Sequence, residues 1–200
     1  LLKQDRDLFM NGVLTPSDIF AIRPGEQVYI PEIYQNAPSE KEFLKIKEIS
    51  DKKACMFLEE KDKSCKIYGS RPTQCRRQEC WNPKQTLTAT DELLTRQDLL
   101  ETTGDLWAII QKHEDRCSHQ DFTREIARLS ATKGQTVGEL LNMLAFDYHV
   151  RDFVQSKLGI NGAFLDFFFG RPLSQMLAHY GLKLEEKEDG SHFLTMDDND

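Results

Sequence analysis

The chain reads as an α+β protein, predominantly helical over its C-terminal two-thirds, with short strands and irregular loops around a cysteine-rich segment. Three observations predict this. Short apolar runs punctuated by Pro and Gly fill the first 70 or so residues. Apolar spacing near 3.6 residues takes over from Asp91, and four of the five cysteines crowd into residues 55–81. At 200 residues, 39% hydrophobic and 30% charged, the chain can bury one well-formed core. Residues 1–200 are therefore expected to form a single domain. Within it lie a cysteine-rich metal-binding segment at 55–81, a helical region at 91–181 and a β-hairpin at 182–196.

Taken in order, Leu1, Leu2, Leu8 and Phe9 give a first apolar face that Gly12 would end. Thr15-Pro16-Ser17-Asp18 reads as a helix start with Pro near the first helical position. Ile19, Phe20 and Ile22 would supply its apolar side, and Pro24-Gly25 would stop it. Gln27-Val28-Tyr29-Ile30 suits a short strand, residues 35–43 look polar and loop-like, and residues 43–49 alternate as a half-buried strand does. Met56-Phe57-Leu58 and Ile67-Tyr68 flank a charged turn, which suggests a small hairpin. Thr90 or Asp91 could cap a helix carrying Leu93, Leu94, Leu99, Leu100, Leu106, Trp107, Ile109 and Ile110. Thr136-Val137-Gly138-Glu139 resembles a capping box before a further helix through Val154, with Gly159 as its C-cap. Residues 164–169 form a dense apolar run that belongs in a core. A helix over 173–180 then closes at Gly181, and Asp189-Gly190 sits between two alternating runs as a hairpin turn would.

Charge and motif content narrow the function. With 33 acidic and 26 basic residues the formal charge is −7, which argues against a nucleic-acid partner, since that needs a clustered cationic face. No apolar run approaches the roughly 18–20 residues that span a bilayer, and no signal-peptide pattern follows Leu1. Neither a P-loop, a dinucleotide fingerprint, a G-x-S-x-G elbow nor H-E-x-x-H is present. His149 and His179 sit among apolar neighbours in helical patterns and read as structural residues. Five cysteines is an odd and sparse set, far from a disulfide scaffold, which favours a reducing, cytoplasmic setting.

The cysteine spacing is C-x9-C-x9-C-x4-C, from Cys55, Cys65, Cys75 and Cys80. A metal site, a disulfide clamp, a reactive thiol and ordinary packing of small residues all fit that spacing, which lacks the paired C-x2-C knuckles of common zinc fingers. The flanking cations Lys63, Lys66, Arg71, Arg76 and Arg77 favour ligation, because nearby positive charge lowers thiol pKa values and offsets the negative charge of a thiolate–metal centre. Four soft sulfur donors suit zinc, iron or an iron–sulfur cluster. A second group, His113, Cys117 and His119, places His113 and Cys117 four residues apart on a helical repeat. Cys117 is thus a candidate additional ligand and His113 a weaker one.

Cys55, Phe57, Leu58, Cys65, Ile67, Tyr68, Arg71, Pro72, Cys75 and Arg76 match, in order, a C-x-F-L … C-x-I-Y-x-x-R-P-x-x-C-R pattern. It resembles the second half of the YkgJ-type family of zinc- or iron-chelating cysteine-cluster proteins. Leu2 to Asp5 resembles the acidic helical segment that follows that family's opening C-x-x-C-x-x-CC-like cluster. The opening cluster is not in this chain and is expected just before Leu1. The resemblance implies a metal-binding protein holding zinc or an iron centre through clustered thiolates. An iron–sulfur-dependent redox or modifying enzyme is one alternative. A regulatory module that binds a protein partner through residues 91–181, with a purely structural metal, is the other.

Overall fold

The computed structural model describes residues 1–30, 35–49, 54–77, 92–188 and 190–196. Its contacts resolve two units, Leu1–Thr102 with Asp166–Phe168, and Thr103–Leu165 with Phe169–Asp200. Short antiparallel ladders shape the first and helices the second, giving the α+β architecture that the sequence predicts.

In the first unit a single turn at Lys3–Asp5 leads into helix α1 (Arg6–Met10), and Gly12 adopts φ +70° just beyond it. The expected helix from Thr15 is instead one 3-10 turn, Pro16–Asp18. Asp18 Oδ2 accepts from the Thr15 N–H (2.7 Å) and Oγ1–H (2.8 Å), closing the turn. The chain then extends as β1 (Ile19–Ile22), buried at every position. A helical stripe would bury only one side of Ile-Phe-Ala-Ile, whereas a strand covered on both faces buries all four. Arg23, preceding Pro24, is also biased away from the helical region.

Strands β2 (Gln27–Ile30) and β3 (Gln35–Pro38) pair antiparallel from Gln27↔Pro38 to Ile30↔Gln35. The second of these is largely exposed, so no apolar alternation marks it in sequence. β4 (Phe43–Ile46) pairs with β1 in the register Ile22↔Phe43 to Ile19↔Ile46, and β5 (Glu48–Ile49) continues the same run. Two small ladders follow: β6 (Ala54–Cys55) on β5, then β7 (Leu58–Glu59) against β8 (Ser64–Cys65). The turn between the last two has Lys63 at φ +57° and is pinned by Asp62 Oδ1, which accepts from Ser64 N (3.1 Å) and Oγ (2.7 Å). A 3-10 turn at Tyr68–Ser70 precedes α2 (Thr73–Arg77).

The helix expected to start near Asp91, a residue outside the described set, begins only after Gly104. The backbone of residues 92–94 is taken up by tertiary pairing. Lys3 N donates to Glu92 O (2.9 Å), Leu94 N to Leu1 O (3.1 Å), and Leu44 N to Leu94 O (2.9 Å). Leu2, Leu14, Ile19, Leu44 and Leu94 are each at most 2% exposed, and each such burial stabilises by about 1.5–3 kcal/mol. Arg96, equally buried, pairs with the Glu42 carboxylate and donates to Phe168 O.

In the second unit α3 (Asp105–Arg116) starts at Gly104 and stops at Cys117, and α4 (His119–Ala131) starts again one residue later. Ser118 makes that break, its Oγ accepting from Asp121 N at 3.1 Å. α5 (Val137–Ser156) begins where the capping-box pattern predicts, although Thr136 makes no side-chain cap bond. The aromatic run folds as a turn plus α6 (Leu165–Phe169), and Phe167, Phe168 and Phe169 are all buried. α7 (Leu173–Met176) continues as a 3-10 turn to Tyr180, ended by Gly181 in the left-handed region at φ +66°. β9 (Leu182–Glu186) and β10 (His192–Met196) then pair antiparallel. Phe122, Ile126, Leu140, Leu144, Leu173, Met176 and Leu177 form the core of this unit. Among the described residues no helix is long and apolar enough to cross a membrane.

Candidate metal centre

The cysteine segment folds as a series of tight turns, each presenting one thiol. Cys55 ends β6, where it pairs across from Glu48 and is exposed. Cys65 ends β8, opposite Leu58, and is half-buried. Cys75 is the third residue of α2, also half-buried. Pro72 sets the start of that helix, its carbonyl accepting from Arg76 N at 3.0 Å. The Arg71-Pro72 turn thus hands Cys75 to a short helix.

Cys55 and Cys75 line one cavity of about 260 Å³, together with Lys45, Lys47, Glu48 and Gln74. Cys65 is on the neighbouring hairpin and does not line this cavity, and Cys80 lies outside the described residues. No disulfide joins any two of Cys55, Cys65, Cys75 and Cys117. Among the described residues no group of three His, Cys, Asp or Glu side chains converges as a metal site would require.

The cations around the thiols divide into two sets. Lys45 pairs with Glu48, and Lys47 lies 3.2 Å from Asp166 Oδ2, so both lysines at the cavity have carboxylate partners. Arg71 stacks on the exposed Tyr68 ring at 3.7 Å and donates from Nε to Tyr68 O (3.0 Å). Arg76 Nε in turn donates to Arg71 O (2.8 Å). These two guanidinium groups therefore brace the turn between Cys65 and Cys75, a structural task that the sequence reading did not assign to them.

The His113–Cys117–His119 group resolves differently. Cys117 is fully buried in the apolar core of the second unit, its Sγ 3.7 Å from Met143 O. His113, also fully buried, donates from Nε2 to Asp147 Oδ1 at 2.7 Å. Arg151 Nε reaches the same oxygen (2.9 Å), and Leu173 N donates to Asp147 Oδ2 (3.1 Å). Burial pushes the Asp147 carboxyl up, but the His113 hydrogen bond and the Arg151 charge outweigh it and hold the pKa at about 2. Sequence reasoning missed this buried network. Its signal was an Asp and an Arg four residues apart on the apolar side of α5. The histidines read as structural, His149 and His179, are exposed, whereas His113 and His119 are buried.

Residues 21–97 match the family model of the CxxCxxCC domain, described as a putative zinc- or iron-chelating domain. The resemblance read from the cysteine pattern agrees with this match. No curated protein and no solved structure matches the chain.

Proposed function

We propose, on the premise that residues 21–97 form a zinc- or iron-chelating CxxCxxCC domain, that this chain is a metal-binding protein whose ligands are clustered cysteine thiolates. The observation that carries the reading is the meeting of Cys55 and Cys75 in one cavity, although 20 positions separate them and different elements present them. Two soft sulfur donors fit a thiolate-held ion, as part of the four that zinc or iron usually takes. Cys65, on the neighbouring hairpin, and Cys80 are the further ligands proposed within the matched residues. Cys117 is left out of the proposed set: it lies beyond residue 97 and is sealed among Phe122, Leu140 and Leu177. When bound, the metal would supply cross-linking of the turns, and as iron also a redox-active centre. Free thiols at Cys55, Cys65 and Cys75 fit a reducing, cytoplasmic setting.

Elemental analysis and absorption spectroscopy on protein purified without oxygen test the proposal. The expected result is about one equivalent of zinc or iron per chain, lost when Cys55 and Cys75 are both changed to Ser. A visible band bleached by dithionite would identify iron–sulfur, and a colourless zinc-loaded protein would identify zinc. Metal-free, folded protein that takes up neither ion would overturn the reading.

A further inference from the structure

Asp5 lies outside the residues that match the chelating domain, yet its carboxylate is only 3% exposed and tied to the helix that carries Cys75. Its Oδ1 accepts from Thr73 N and from Thr73 Oγ1, both at 2.8 Å. Its Oδ2 accepts from Leu2 N at 2.9 Å. Thr73 is the first residue of α2 and Cys75 the third. A five-residue helix has orphan N–H groups at its start and almost no stability of its own, so whatever caps it decides where its side chains point. Here the cap comes from 68 positions away in the sequence. Buried carboxylates are costly unless hydrogen-bonded, and this one is offered three donors.

A neighbouring contact runs the same way. The Leu1 nitrogen donates to Leu44 O (2.8 Å). Residues 1–5 thus form a strap between β4, whose last residues border the cysteine cavity, and the start of α2. We infer that Asp5 is a positioning residue for the thiol cavity: by fixing the first turn of α2 it holds Cys75 in the cavity shared with Cys55. This rests on the metal reading above for its purpose, although the positioning itself does not need a metal.

The test uses the full chain as wild type and as Asp5→Ala, Asp5→Asn and Thr73→Val. Two readouts are taken. The first is the alkylation rate of each cysteine in metal-free protein, mapped by mass spectrometry. The second is Co²⁺ affinity from thiolate-to-metal absorption in competition with a chelator. Asp5→Ala is expected to change the Cys75 rate about 10-fold or more while Cys65 stays within about 2-fold. It should weaken Co²⁺ binding about 10–100-fold, the usual effect of removing a group that orients a ligand. Asn keeps an acceptor toward Thr73 and should restore most of both, and Thr73→Val, lacking one donor, should fall between. If Asp5→Ala does not fold, the Asn and Val variants still decide the ordering. A change shared equally by the Cys65 and Cys75 rates, or a lowered Tm with the Cys75 rate and Co²⁺ affinity unchanged, would assign Asp5 a merely structural role and overturn the inference. Wild-type protein that takes up no Co²⁺ would sink the metal reading, while the alkylation pattern would still decide the role of Asp5.

Discussion

Changing Asp147 to Ala should be among the most damaging single substitutions in the second unit. The side chain accepts from His113, Arg151 and the Leu173 N–H, and it is 3% exposed. Its removal leaves the Arg151 guanidinium, itself 8% exposed, without its counter-charge. Breaking a buried pair in this way costs about 3–5 kcal/mol. The carboxyl titration gives a second, smaller figure. Burial raises its pKa, His113 and Arg151 lower it further, and the balance lies at about 2 against 3.8 for an ordinary Asp. That difference corresponds to about 2 kcal/mol between the charged and the protonated carboxyl. The lower number applies to a side chain that keeps its shape and some hydrogen bonds, and Asp147→Asn should approach it. Because the folded-state pKa is depressed, the contribution is complete above about pH 4 and disappears as pH falls toward 2. Urea unfolding followed by Trp107 fluorescence, in a Trp81→Phe background, measures this at pH 7 and at steps down to about pH 2.5. The stability gap between parent and Asp147→Ala should narrow through that range. A gap below about 1 kcal/mol at pH 7, or one that widens under pH 4, would refute the argument.

Two smaller perturbations probe the frame. Ser118→Ala removes the cap that restarts the chain after Cys117 and should cost about 1 kcal/mol, read from the urea midpoint. Leu44→Ala opens a cavity beneath β4 at a fully buried site and should cost about 2–5 kcal/mol, seen as a lowered Tm in calorimetry.

Local chemistry was legible where local chemistry decides. The strand at 27–30, the charged hairpin turn near Asp62, the start of α5 and the stop at Gly181 all follow from short-range residue preferences. Ile19–Ile22 and Leu93-Leu94 were misread as helical because their conformation is set by partners far along the chain, β4 in one case and Leu1, Leu2 and Leu44 in the other. Polar β3 was invisible for the opposite reason: it is largely exposed, with no apolar face to show. At the candidate centre, the cysteine spacing and the Arg-Pro frame were readable, since they act within about 20 residues. Asp5 was not, because only folding brings a carboxylate from the first turn to Thr73.

The three residues Asp166–Phe168 belong to the first unit although the chain around them belongs to the second. During synthesis the ribosome has therefore to add more than 60 residues after Thr102 before Phe167, Phe168 and the carbonyl that receives Arg96 become available. At about 5–20 residues per second that is a delay of several seconds, in which the thiol-bearing half is made but not finished. A gene fragment cut at residue 102 would reproduce that unfinished state permanently. The thiol-bearing half is thus best prepared and studied within the longer chain.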